Sequence, residues 1–146
     1  MRVLKVIGAF PVAFAAAFAG VSLAHTQFVL AGLSGVGAAP TFAENLRTCV
    51  ADLGGLFPSL GPVLALALAI GFLVAAGLKR VLKPLAGVAY PIAGFAGMAT
   101  ALIAMRISFH STPLAGARGV EGFVVICLMG ALGGFVFSAL LPKATA

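Results

Sequence analysis

The fold class follows from residues 56–78, LFPSLGPVLALALAIGFLVAAGL. This stretch is 23 residues long and contains no charged side chain. An α-helix rises about 1.5 Å per residue, so the stretch can cross the hydrocarbon core of a bilayer, which is about 30 Å thick. Charge-free stretches of similar length occur at residues 6–24, 85–105 and 122–141. Lipid offers the backbone no hydrogen-bond partner, so each stretch is expected to be a helix. The sequence predicts an all-α integral membrane protein, a single four-helix transmembrane domain over residues 1–146.

The composition supports a membrane protein and disfavours nucleic-acid binding. Hydrophobic residues make up 62% of the chain and charged residues only 8%, whereas soluble domains carry about 25% charged residues. Nine Lys and Arg against three Asp and Glu give a formal net charge of +6. These basic residues lie near the ends of the predicted spans and form no continuous basic face of the kind that nucleic-acid binders use. We therefore expect membrane lipids, and not nucleic acid, around this chain.

The first charge-free segment is longer than one upright span requires. No charged residue occurs between Lys5 and Glu44, a run of 38 residues. We expect one span at residues 6–24, followed by a glycine-rich segment that lies at the surface or dips back into the membrane. The alternative, a second span after a turn near residues 25–27, leaves only about 14 apolar residues for the return, fewer than a crossing needs. The role of residues 26–40 stays open.

A short amphipathic helix is predicted at residues 41–53, in the first outer loop. Thr41 and Glu44 have the spacing of a capping box, in which the two side chains bond to each other's backbone N–H groups. Apolar residues then recur on one helical face: Phe42, Leu46, Val50 and Leu53. The pair Gly54-Gly55 is expected to end this helix. Its apolar face should be buried against lipid or against the ends of the spans.

The distribution of charge predicts the orientation. Four spans place six of the nine basic residues on one side, with no acid: Arg2, Lys5, Lys79, Arg80, Lys83 and Lys143. The other side holds the remaining three arginines and all three acids. By the positive-inside rule the first side is cytoplasmic. We expect a multi-pass protein of a bacterial inner (plasma) membrane with both termini in the cytoplasm.

Small residues predict which helix faces pack together. Span three carries Ala89, Ala93, Gly97 and Ala101 at four-residue spacing, and span four carries Gly130, Gly134 and Ser138. Because transmembrane helices associate by close approach of small residues, we expect these two faces to meet. In span one, Ala9, Ala13 and Ala17 are expected to face inward. The ridge of Phe10, Phe14 and Phe18 is expected to face lipid or a partner.

Polar residues on the outer side form the candidate binding cluster. Its members are Glu44, Arg47, Asp52, Arg106, His110, Arg118 and Glu121. Three arginines and three acids could form an ion-paired cap that holds the loops together. The alternative is an extracytoplasmic site for a small anion or a partner protein.

Cofactor chemistry has little support in the sequence. The two cysteines, Cys49 and Cys127, show no metal-binding spacing. His25 and His110 are both predicted in or beside outer loops and could ligate a b-type haem. Two interfacial histidines that only make hydrogen bonds are the alternative, and no metal site is predicted.

The sequence leaves three hypotheses for function. No Asp, Glu, His, Lys or Arg falls within the four predicted spans, which disfavours ion-coupled transport, and no nucleophile–base pair or phosphate-binding loop indicates an enzyme. The leading hypothesis is a small non-catalytic membrane protein, either a homo-oligomer or an accessory subunit of a larger membrane complex. A small oligomeric channel or transporter for a neutral or anionic solute is the second. A haem- or quinone-associated anchor is the third.

Overall fold

The computed structural model is a bundle of four helices. It describes residues 2–35, 37, 40–81, 87–109, 114 and 117–141, without the side chains of residues 2–4, 80, 81 and 109. The helices are α1 (Arg2–Gly35), α2 (Phe42–Val81), α3 (Ala89–Phe109) and α4 (Val120–Leu140). Each contains a segment long and apolar enough to cross a membrane. The predicted all-α membrane fold is confirmed.

The four helices form a ring in which each packs on two neighbours. Extensive contacts join α3 to α4, α4 to α1 and α2 to α3, and a smaller contact between α1 and α2 closes the ring. Phe10, Phe72, Tyr90 and Phe137, one from each helix, contact one another. We call this end of the bundle the basic end, because Lys5 and Lys79 lie there. The opposite end, with Glu44, Arg106 and Glu121, is the mixed-charge end.

Helix α1 continues well beyond the predicted span. It runs to Gly35, so the expectation of a separate glycine-rich segment after residue 24 is wrong for residues 25–35. A glycine inside a helix costs only about 1 kcal/mol relative to alanine. Burial of Thr26 and Leu30 against the bundle favours continuation of the helix. The turn comes at Gly37, whose φ of +88° is the left-handed conformation that glycine adopts easily.

Helix α2 begins where the capping box predicts but does not stop at Gly54-Gly55. The Thr41 N–H donates to Glu44 Oε2 at 2.8 Å, and the Glu44 N–H donates to Thr41 Oγ1 at 3.4 Å. Beyond this cap the helix is continuous from Phe42 to Val81, so a separate helix over residues 41–53 was a wrong prediction. Glycine ends a helix by adopting positive φ. Gly37 is the one glycine in the described residues that does so.

The N-terminal part of α2 faces α1 with its polar side and not with its apolar side. Phe42, Leu46 and Val50 are all more than half exposed, so they do not pack on the span ends, and their burial against lipid, the other predicted surrounding, stays a prediction. Asn45 and Cys49 face α1 instead, because Gln27 of α1 bonds to both. Hydrogen-bond partners on α1, which the sequence pattern does not reveal, decide the orientation of this segment.

The phenylalanine ridge of α1 points into the bundle, contrary to the prediction. Phe14 stacks on Phe18 with ring centroids 5.8 Å apart, and Phe18 meets the edge of Phe57 in α2 at 5.5 Å. Phe18 is buried. The rings turn inward because α2 offers aromatic partners, and an aromatic pair contributes roughly 0.5–1.5 kcal/mol beyond the area that it buries.

The small faces of α3 and α4 pack closely, but with different partners from those predicted. A Cβ atom at Gly94 would overlap the Gly130 carbonyl oxygen, and one at Gly134 would overlap the Tyr90 carbonyl oxygen. The face of α3 that meets α4 is therefore the one with Tyr90 and Gly94. Gly97 faces α2, since its Cβ would lie 2.9 Å from the Ala67 carbonyl oxygen. The face of α3 that meets α4 thus lies one residue away from the predicted Gly97 face. One residue corresponds to a rotation of about 100° around a helix with 3.6 residues per turn.

The other small residues of the predicted packing faces have different neighbours. Ala93 also faces α2, since a Cβ atom on Gly71 would lie 2.8 Å from its carbonyl oxygen. Ala101 and Ser138 are half-buried. Ala9, Ala13 and Ala17 are buried as expected, and Ala17 lies against Gly133 of α4.

Candidate functional site

The seven residues of the predicted outer cluster have different surroundings. Glu44 is occupied by the cap of α2 and accepts from the Thr41 hydroxyl at 2.7 Å. Asp52 points toward α1 and is half-buried, while four members are exposed: Arg47, Arg106, Arg118 and Glu121. His110 lies outside the described residues. The two acids Glu44 and Asp52 thus accept hydrogen bonds from threonine hydroxyls, while the ion-paired cap and the binding site both stay predictions.

A hydrogen bond between Thr26 and Asp52 joins α1 to α2. The fully buried Thr26 hydroxyl donates to Asp52 Oδ2 at 2.7 Å and also lies 3.0 Å from the Ser22 carbonyl oxygen. A hydrogen bond to a carboxylate is stronger than one between two neutral groups. It is also stronger where water is excluded than it would be in water. This bond fixes the rotation of α2 relative to α1 near the mixed-charge end.

A second set of polar contacts extends the same interface. Gln27 Nε2 donates to Asn45 Oδ1 at 3.1 Å, and the Cys49 thiol lies 3.5 Å from that same oxygen. Cys49 is buried against α1. Together these side chains form what we call the hairpin polar contact: Thr26, Gln27, Asn45, Cys49 and Asp52. It holds two helices that are longer than a membrane crossing requires.

His25 and Ser22 flank the hairpin polar contact on α1. His25 lies within the helix and is half-buried, not in a loop as predicted. Its proposed haem partner, His110, is outside the described residues, so the haem hypothesis stays a prediction. Ser22 is completely buried, and its hydroxyl has no hydrogen-bond partner among the described residues. Within those residues, no group of three or more His, Cys, Asp and Glu side chains could hold a metal ion.

Aromatic rings fill the centre of the bundle at the basic end. Phe72 stacks on Phe137 with centroids 4.5 Å apart, and Tyr90 meets the edges of both rings at 5.8 and 5.0 Å. Phe10 adds a fourth ring against Phe72 at 6.2 Å. We call this group the aromatic plug. Its rings join all four helices at this end of the bundle.

An open groove runs between α2 and α3 on the outside of the bundle. It has a volume of about 530 Å³ and is lined mainly by small and apolar side chains. One wall is a stripe along α3 that we call the α3 stripe: Ala96, Thr100, Ala104 and Ser108, all exposed. The exposed face of α4 instead carries bulky residues at similar spacing: Val124, Leu128, Leu132 and Phe135. Small residues thus line the groove side of α3, whereas the neighbouring exposed positions Ile103 and Ile107 are bulky.

A smaller groove of about 210 Å³ continues between α2 and α3 toward the basic end. Leu78, Lys79, Ala89 and Ile92 line it. The Lys79 ammonium lies 4.5 Å from the centroid of the Tyr90 ring. This cation–π contact positions a positive charge at the end of an apolar groove.

Most residues of these surfaces do not stand out in the sequence by their chemistry. Of the hairpin polar contact only Asp52 is a predicted site residue, although Asn45, Cys49 and Asp52 follow one another at spacings of four and three, which mark one helical face. In α3 the Gly97 face is the predicted packing face, whereas the exposed α3 stripe has the same four-residue spacing one residue earlier. The spacing of polar or small residues along each helical face is the signal that marks both surfaces.

Comparison with known proteins gives no relative from which a function could be inferred. No protein-family model, curated protein or solved structure matches the chain. Its function must therefore be argued from the surfaces described above.

Proposed function

We propose that this protein is a non-catalytic membrane subunit that forms a dimer through the α3 stripe. The observation that carries this proposal is the exposure of Ala96, Thr100, Ala104 and Ser108 on a face that borders an open groove. Without a hydrophobic force between helices in lipid, small residues drive association because they let two backbones approach closely. Exposed small residues are thus available for a further helix.

A second copy of the chain fits this surface best. In a two-fold dimer the same patch meets itself, so the patch must be complementary to its own image. A stripe of small residues satisfies this requirement, and the Thr100 and Ser108 hydroxyls can donate hydrogen bonds across the interface. The bulky exposed residues of α4 would hold two backbones apart.

The aromatic plug supports a structural role over solute transport by one bundle. The rings of Phe72, Tyr90 and Phe137 pack against one another between the helices, where a polar path through one bundle would have to run. For the orientation, we propose a bacterial inner membrane with both termini in the cytoplasm. Six of nine basic residues then lie on the cytoplasmic side, as the positive-inside rule requires.

A bulky side chain in the α3 stripe tests the dimer. Thr100 is exposed, and among the described residues its hydroxyl bonds to the Ala96 carbonyl oxygen of its own helix alone, at 2.8 Å, so Thr100→Phe should leave the monomer folded. The matched control is Ala15→Phe at an exposed position of α1. Light scattering in a mild detergent should give a dimer for the parent and the control and a monomer for Thr100→Phe. A monomeric parent, or a dimeric Thr100→Phe variant, would contradict the proposal.

Cross-linking in native membranes tests the interface and the orientation together. A Ser108→Cys variant, made in a background with Cys49→Ser and Cys127→Ala, should form a disulfide between two copies, whereas Leu132→Cys on α4 should not. A maleimide that cannot cross membranes, added from outside intact cells, should block this cross-link. Cross-linking at residue 132 but not at 108 would contradict the interface. If the thiol introduced at position 108 were protected from the maleimide, the orientation would be the opposite of the one proposed.

A further inference from the structure

A groove and a fixed positive charge coincide at the basic end of the bundle. Lys79 is the charged residue among the side chains that line the smaller groove, and the others are Ala, Val, Leu and Ile. The charge-free residues 56–78 end immediately before it. Because that stretch is long enough to cross the hydrocarbon core, Lys79 lies at the level of the lipid headgroups.

The Tyr90 ring restrains the ammonium without using its hydrogen-bonding capacity. Lys79 Nζ lies 4.5 Å from the ring centroid, and Tyr90 is itself buried in the aromatic plug. A ring face accepts the cation electrostatically, so N–H groups that do not point at the ring can still donate to an anion. A lysine held in this way loses less conformational entropy on binding than a freely rotating one.

The apolar walls of the groove complement an acyl chain. They come from two helices, with Leu78 on α2 and Ala89, Ile92, Ala93 and Ala96 on α3. The alanines on the α3 side leave space between the helices, and this space continues into the larger groove through Val74, Ala93 and Ala96. The two grooves therefore form one continuous groove between α2 and α3, which is open toward the surrounding lipid.

We propose that the smaller groove binds one anionic phospholipid, whose phosphate contacts Lys79 and whose acyl chain lies between α2 and α3. Basic pockets between transmembrane helices recognise acidic headgroups by charge, and each lysine near the surface contributes about 1 kcal/mol, or roughly fivefold in affinity. The anion is a lipid headgroup and not free phosphate, because the adjoining walls are apolar. Ala96 belongs both to this groove and to the α3 stripe. Lys79, whose charge selects the lipid, lies outside the stripe, so the proposal does not rest on the dimer.

Native mass spectrometry with two lipids of identical acyl chains tests the site. Phosphatidylglycerol is anionic and phosphatidylcholine is zwitterionic, so their comparison isolates the charge. The parent should retain phosphatidylglycerol roughly fivefold better. Lys79→Gln should lose this preference and Lys79→Arg should keep it. Lys5→Gln is the matched control, because Lys5 is an exposed lysine of the same end that does not line the groove.

A second variant tests the apolar part of the site with the charge intact. Ile92 lines the groove, is 53% exposed and lies one turn before Ala96, at the basic end of the α3 stripe, so Ile92→Trp should fill the groove without disturbing the core. It should reduce retention of both lipids. Repeating the comparison in the monomeric Thr100→Phe variant should give the same preference, which separates this site from the dimer interface. Equal retention of the two lipids by the parent, or an unchanged preference in Lys79→Gln, would overturn the proposal.

Discussion

Where α3 meets α4, backbone lies directly on backbone, whereas α1 and α2 meet through side chains. Gly94 and Gly130 face each other so closely that neither position has room for a Cβ atom. Between α1 and α2 the contacts are aromatic rings at Phe14, Phe18 and Phe57, and then the hairpin polar contact. One interface is close-packed by the absence of side chains and the other is specified by their chemistry.

This difference predicts how each interface responds to substitution. A backbone contact has no flexible atom that can move aside, so an added side chain must separate the helices. A side-chain contact can lose one hydrogen bond or one ring and remain in place. We therefore expect α3–α4 to tolerate almost no change at its glycines, and α1–α2 to show graded effects.

The largest effect is expected for Gly130→Leu. Its Cβ would lie 2.6 Å from the Gly94 carbonyl oxygen and 2.8 Å from Met98 Cβ. Overpacking a core usually costs about 1–3 kcal/mol and sometimes more, and a backbone obstacle places this variant at the upper limit, about 3 kcal/mol. Gly97→Leu should behave similarly, because its Cβ would meet the Ala67 carbonyl oxygen at 2.9 Å. Thermal unfolding of both variants in one detergent measures the loss.

The control for both glycine variants is Ala15→Leu. Ala15 is exposed on α1, so the same side chain should be accommodated there without a change in unfolding temperature. If Gly130→Leu and Gly97→Leu unfold at the temperature of the parent, the glycine contacts contribute little to stability. The close-packed bundle would then lose its main support.

An intermediate effect is expected for Thr26→Val in the hairpin polar contact. Valine keeps the shape but removes the donor to Asp52 Oδ2, which leaves a half-buried carboxylate short of one hydrogen bond. The expected loss is about 2 kcal/mol, within the range for bonds to charged groups. The measurement is the same thermal unfolding series.

Thr48→Val is the matched control for Thr26→Val. Both hydroxyls lie near the carbonyl oxygen four residues earlier, Glu44 in the case of Thr48, at 2.8 Å. Only Thr26 also reaches another helix. Equal losses for the two variants would show that the bond between helices adds nothing.

The sequence allowed prediction of the elements whose physical cause is local. Charge-free length identified all four helices, since any chain must satisfy its backbone inside lipid. Thr41 and Glu44 marked the start of α2, because a capping box uses residues only three apart. Neither prediction required knowledge of a neighbouring helix.

The predictions that were wrong depend on contacts between helices. Gly54-Gly55 suggested a stop, yet the helix continues there and the next residues pack on α1. The phenylalanine ridge was predicted to face lipid or a partner because nothing in α1 reveals that α2 places Phe57 and Phe72 opposite it. A helical pattern gives the composition of each face but not the neighbour that the face meets.

The smallest effect is expected for Ser22→Ala, one turn from Thr26. The Ser22 hydroxyl is completely buried and has no hydrogen-bond partner among the described residues. Burial of an unpaired polar group costs about 1–3 kcal/mol, so removing it should leave stability unchanged or raise it by about 1 kcal/mol. Ser34→Ala is the comparison: the Ser34 hydroxyl donates to the Leu30 carbonyl oxygen at 3.0 Å, and the higher helix propensity of alanine should offset the loss of this bond and leave stability unchanged. Unfolding of the two variants in one detergent measures the difference between them. A loss of more than about 1 kcal/mol in Ser22→Ala would mean that this hydroxyl is paired in the membrane. The hairpin polar contact would then extend one turn deeper into the bundle, and α1–α2 would be held by polar side chains over a longer length than the Thr26–Asp52 bond alone provides.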